Sequence, residues 1–161
     1  MDRIIDFLNF FIKEGIVEKA LTVAFDEAEE TCFLPWDVEI NLNLPEIESG
    51  EYKEAEVLTC GEDTKLLELF TPLEISFFHE LGHFCDFAYR LDYYIDDLHE
   101  EWVISTLYEN EIHKMWEKLD EIGEQRFGRL VTMRHYRSFG LEKIADENAR
   151  ALMNYYLEHA C

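Results

Sequence analysis

Apolar residues recur at helical spacing from the start of the chain. Ile4, Leu8, Phe11, Ile12, Ile16, Ala20, Val23 and Ala24 predict one long amphipathic helix over residues 3 to about 29, or two short ones broken at Gly15. Pro35 and Trp36 end that pattern. From Asp37 the period drops to two, with Val38, Ile40, Leu42 and Leu44 alternating against Glu39, Asn41 and Asn43, which predicts a strand over 37–44. After the turn-like Glu48-Ser49-Gly50, a weaker strand is expected over 52–59, closed by Gly61-Glu62-Asp63. The two strands would form a small sheet or hairpin at about 37–59.

The helical period then returns. Thr71-Pro72-Leu73-Glu74 combines a threonine N-cap, a proline at the first helical position and a glutamate that completes a capping box, so a helix is expected over 72–91. Its buried stripe would be Leu73, Phe77, Leu81, Phe84 and Ala88, with His79, His83 and Asp86 on a neighbouring face. Phe77, Phe78, Phe84 and Phe87 are expected to pack the core. A further helix is predicted from about Leu98 to Gln125 through Ile104, Tyr108, Ile112, Met115, Leu119 and Ile122. A last one over 141–159 has Ala145, Ala149, Leu152 and Tyr156 as its seam. The sum is an α+β, predominantly helical chain, read as one domain over 1–161.

Composition narrows the partners. With 36 acidic against 14 basic residues the formal charge is -22, which disfavours direct binding to nucleic acid or to an anionic membrane. No uncharged stretch is long enough to span a bilayer, and charges interrupt every apolar run near the start, so neither a membrane segment nor a signal peptide is expected. Cys32, Cys60, Cys85 and Cys161 lack paired spacing and read as free thiols, which fits a cytoplasmic location.

The chemistry concentrates in His79-Glu80-Leu81-Gly82-His83. Histidines four apart on a helix point the same way with Cβ atoms about 6 Å apart, so both can reach one metal ion. Glu80, on an adjacent face, is placed to act as a base toward water. A catalytic zinc site needs a third ligand and an open fourth position. The last helix offers Glu142-Lys143-Ile144-Ala145-Asp146, where Glu142 can coordinate and Asp146 can orient an imidazole, with the small Ala145 on the side that must approach the first helix. Asp146 and Glu147 remain open as alternative ligands. His99, His113 and His159 lack such pairing and read as surface or helix-end residues.

These two blocks resemble the gluzincin branch of zinc metallopeptidases, in which the His-Glu-x-x-His helix is followed by Glu-x-x-x-Asp or Glu-x-x-Ala-Asp. Tyr136-Arg137-Ser138 ahead of Glu142 is also similar to the small zincin domains of phages and other mobile elements. The resemblance spans roughly residues 71 to 158. It implies a zincin-like fold and one zinc ion held by His79, His83 and Glu142. Glu80 would be the catalytic base and Asp146 the partner of a ligand histidine. Tyr136, or failing it His135, would steady the oxyanion.

The expectation is therefore a zinc metallopeptidase acting on a protein or peptide substrate, namely one specific intracellular protein, in a host cytoplasm if the origin is a phage. The strand over 37–44 could pair with an extended peptide. The alternative is a non-catalytic zincin scaffold whose acidic surface docks on a basic protein partner, in the manner of antirestriction proteins or DNA mimics.

Overall fold

The computed structural model describes residues 2–17, 21–50, 53–61, 63–94, 106–111, 113–114, 117–118, 137–138 and 140–160. Helix α1 (Asp2–Lys13) buries Ile4, Phe7, Leu8 and Phe11. It stops where Gly15 takes the left-handed conformation, φ 71°. The Ile16 N–H then donates to the Phe11 carbonyl (2.9 Å) and the Gly15 N–H to the Ile12 carbonyl (3.1 Å), which satisfies two orphaned helix-end carbonyls.

The helix expected to continue toward residue 29 does not. After the break the chain forms strand β1 (Thr22–Ala24), then β2 (Cys32–Leu34) and β3 (Glu39–Asn41). Thr22 and Val23 are β-branched and gain ladder partners as a strand, which outweighs a helical spacing shared by chance. The sheet order is β1-β3-β2, with β1 parallel to β3 (Val23 opposite Ile40) and β2 antiparallel to it (Phe33 opposite Ile40). β3 is thus an inner strand, paired on both sides, so Glu39–Asn41 is not the open edge that the expected pairing with an extended peptide requires.

The strand expected over 37–44 contracts to Glu39–Asn41 for two reasons. Val38 lies at φ 50°, inside a turn rather than a strand. Asn43 caps helix α2 (Leu44–Glu48), its side chain accepting the Glu46 N–H with Pro45 in the first turn. Asn41 and Asn43 are also buried, at 1% and 6% exposure, because their amides bind the loop between β1 and β2. Asn41 donates to the carbonyls of Asp26 (3.0 Å), Glu29 (3.3 Å) and Glu30 (3.0 Å) and accepts the Asp26 N–H (2.9 Å), while Asn43 reaches the carbonyls of Glu27 and Glu29.

Residues 53–59 of the strand expected over 52–59 form helix α3 (Lys53–Thr59), so among the described residues 37–59 make no hairpin. Lys53, Glu54, Ala55 and Glu56 are strong helix formers, and Ala55 and Thr59, one turn apart, form its buried side. Helix α4 (Thr64–Leu69) follows, capped by Asp63.

Helix α5 (Pro72–Tyr94) opens on the predicted capping box: the Thr71 N–H donates to Glu74 Oε2 (2.7 Å) and the Glu74 N–H to Thr71 Oγ1 (3.4 Å). Arg3 pairs with Glu74 at 2.9 Å, fastening α1 to this start. α5 packs against α1, α2, α3, β2 and β3, and most extensively against α6 (Gly140–His159). Phe77, Phe78, Phe84 and Phe87 are fully buried as expected. One aromatic cluster joins Phe7, Phe70, Phe77 and Phe78, and another joins Phe33, Phe84, Phe87 and Tyr108. The helix expected over 98–125 is seen at 106–111, 113–114 and 117–118, and its remainder lies outside the described residues. The architecture is α+β and mainly helical. Among the described residues no helix is long and apolar enough to cross a membrane.

Candidate metal centre

Two helices bring the chemistry together because a glycine and an alanine let them touch. A methyl group added at Gly82 would collide with the Ala145 carbonyl oxygen and lie 3.1 Å from Ala145 Cα, so α5 and α6 meet backbone to backbone. The Asn148 amide spans the same seam, donating to the Gly82 carbonyl at 3.0 Å. That contact sets α6 one side chain's length from the histidines.

Across the seam, His79, His83 and Glu142 each offer a ligand atom, all within 4.8 Å of one another and all buried. Glu142 Oε2 lies 3.2 Å from His79 Nε2, and Glu142 Oε1 lies 3.3 Å from His83 Nε2. Two imidazoles and a carboxylate facing one point are a donor set suited to zinc, with room in the coordination number for a further group. Burial pushes the Glu142 carboxyl up, but the charges and hydrogen bonds of His83 and His79 outweigh it and hold the group well below the usual carboxylate range.

Each histidine has a partner on its far nitrogen. Asp146 Oδ1 lies 2.9 Å from His79 Nδ1, so Asp146 faces away from the cluster of ligand atoms. The same oxygen accepts hydrogen bonds from Thr59 Oγ1 (2.9 Å) and Arg137 Nη1 (2.7 Å). Burial raises the Asp146 carboxyl, but the hydrogen bond with His79 and the Arg137 charge prevail and lower it. For His79, burial and Arg137 lower the pKa, yet the hydrogen bonds with Asp146 and Glu142 carry it to about 9. A metal entering here must displace that proton. On the other histidine, Nδ1 of His83 lies 3.0 Å from Tyr108 Oη, which is also 3.3 Å from the His83 carbonyl oxygen.

Glu80, next to His79 in α5, is buried beside these candidate ligands, 7% exposed. Burial pushes its carboxyl above the ordinary range against the opposing charges of His79 and His83. A carboxyl poised in that way gives and takes protons nearer neutrality than a solvated glutamate. Strand β2 packs against α5, with the Phe33 ring centroid 5.9 Å from that of Phe84, and the Cys32 thiol on it is pushed up to about 12 by burial and, after that, by the charges of Glu80 and the glutamates nearby.

The structure therefore gathers His79, Glu80, His83, Glu142 and Asp146, all named from the sequence. Glu147 points outward, exposed and 3.9 Å from Lys143 Nζ. Tyr136 and His135 lie outside the described residues, as do His99 and Cys161. His113 is exposed, and His159 stacks on Tyr155 at the end of α6. Cys32, Cys60 and Cys85 are free thiols. Sequence reasoning missed Tyr108, Thr59 and Arg137. Tyr108 reads only as one apolar position of a helix, Thr59 lies in an expected strand, and Arg137 carries no role of its own in the Tyr136-Arg137-Ser138 block.

No family model, no curated protein and no solved structure matches the chain.

Proposed function

We propose that the chain is a zinc-dependent peptidase with a zincin-like site, in which His79, His83 and Glu142 hold the metal. The observation that carries this reading is the buried Glu80 beside three convergent ligand atoms. A purely structural metal site has no use for a base in that position. Zinc in such a set supplies Lewis acidity, polarising a carbonyl and making water easier to deprotonate. The chain's own part is proton transfer and positioning. Glu80 takes a proton from the attacking water onto its carboxylate and returns it to the departing amine nitrogen, and its burial keeps both states accessible. Asp146 holds His79 with Nε2 toward Glu142. An extended peptide would add to the outer edge of β2, which packs on α5, with main-chain hydrogen bonds supplying affinity. Tyr136 or His135 would face the oxyanion, and the substrate would be a specific intracellular protein.

The test combines metal content with turnover on a peptide library. His79→Ala and Glu142→Ala should lose zinc, whereas Glu80→Gln should keep it and lose at least about 100-fold in turnover, the usual scale for a general base. A Glu80→Gln variant that cleaves as well as the parent would sink the mechanism. The charge of -22 favours a second reading, a zincin scaffold that docks on a basic protein. In that case binding falls steeply with added salt and ignores Glu80→Gln.

A further inference from the structure

We infer that Tyr108 is a positioning residue for the metal, acting through His83, in a centre whose existence rests on the reading above. A ligand histidine presents one nitrogen to the metal, and its other ring N–H needs a partner that fixes the tautomer and the ring's orientation. Asp146 does this for His79. On His83 the place is taken by a phenol, with Tyr108 Oη 3.0 Å from Nδ1.

A phenol has a single proton, and the direction of its hydrogen bond decides what His83 can do. If Tyr108 donated to Nδ1, the ring proton would sit on Nε2 and block the ligand position. The second contact removes that conflict. Tyr108 Oη is 3.3 Å from the His83 backbone carbonyl, so its proton can go there while its oxygen accepts the Nδ1–H of the same residue. Nε2 is then left with its lone pair on the side where Glu142 Oε1 lies, 3.3 Å away. Both bonds end on His83, so the phenol also resists rotation of the ring.

Tyr108 is held for this by its surroundings rather than by its hydroxyl. It is 1% exposed, with ring centroids 5.8 Å from Phe87 and 6.4 Å from Phe33. The Arg90 guanidinium lies over its face at 5.5 Å and is itself fixed by Asp86 at 3.0 Å. Removing the oxygen alone should leave the ring in place, which makes Tyr108→Phe a test of the hydrogen bond and not of the packing.

The full chain is compared with Tyr108→Phe and Tyr108→Leu by zinc competition against a chromogenic chelator. The Phe variant should bind zinc about 10–100-fold more weakly, the usual cost of losing such a partner, with a urea midpoint in the metal-free form close to that of the parent. Cobalt(II)-loaded protein gives a second readout by proton NMR. The parent should show two slowly exchanging, paramagnetically shifted imidazole N–H signals, from His79 and His83, and the Phe variant should lose one. A Phe variant with parental zinc affinity, or with both signals intact, would overturn the assignment. So would parental affinity in Phe with loss in Leu, which would reduce Tyr108 to packing. Neither readout needs turnover, so a chain that holds zinc and cleaves nothing ends the peptidase reading without touching this one.

Discussion

The α5–α6 pair and the three-stranded sheet are held by opposite means. The helices meet where side chains are nearly absent, Gly82 against Ala145, and the candidate ligands stand beside that contact, His79 and Glu142 three residues before it and His83 one residue after. The sheet is three residues deep on every strand, and the loop beside it is organised by two buried asparagines that bind its carbonyls. Close backbone contact fixes the ligand geometry through shape, which has no tolerance for added volume. The asparagine lattice fixes the strand beside the site through polar satisfaction, which has no tolerance for a lost donor.

The strongest way to break the first arrangement is Gly82→Ala. Its methyl must displace backbone, since the atoms it meets belong to the main chain of α6 rather than to a movable side chain. The expected cost is about 3 kcal/mol or more, at the top of the range for overpacking, accompanied by loss of zinc binding as Glu142 moves away from the histidines. Urea unfolding and zinc content on the same preparation check it. A Gly82→Ala chain that keeps parental stability and zinc would show that the seam does not set the site.

The corresponding break in the sheet is Asn41→Ala. It removes the donor to three loop carbonyls and the acceptor for the Asp26 N–H in a position 1% exposed. A loss of roughly 2 kcal/mol is expected from leaving those groups unsatisfied. Zinc affinity should change far less than in Gly82→Ala, because no ligand lies on the loop. If Asn41→Ala lost zinc as completely, the two regions would have to be treated as one cooperative unit.

The same contrast explains what could be read from the sequence. The capping box at Thr71, the spacing of His79 and His83, and the spacing of Glu142 and Asp146 are each local patterns within a turn, and the fold brings the last two pairs together across the seam. Asn41 and Asn43 looked like the solvent side of an alternating strand because their partners are backbone carbonyls, which no side-chain pattern announces. The cap that opens α2, Asn43 with Pro45 and Glu46, uses the same grammar as the start of α5 and was masked by the alternation running through it. Tyr108 is a different case. A phenol in an apolar stripe gives no sign that its hydroxyl ends on a histidine 25 residues earlier.

The smallest expected effect separates the two regions by titration. In the metal-free chain His79 is raised from its ordinary 6.5 to about 9, so the folded state holds its proton more tightly than the unfolded chain. A raised group contributes stability that is fully present below 6.5 and is lost as pH climbs through about 9. Glu80, also raised, acts in the same sense, while the lowered Glu142 and Asp146 lose their contribution only on the acid side. Between pH 6.5 and 7.5 the metal-free protein should therefore lose on the order of 1 kcal/mol, read as a falling urea midpoint. His79→Gln should flatten that slope, and saturating zinc should too, since the metal takes the place of the proton. Asn41→Ala should leave the slope as it is, because an asparagine does not titrate and its region carries none of the linkage. A slope that vanished in Asn41→Ala instead would mean that the sheet, and not the seam, sets the environment of His79.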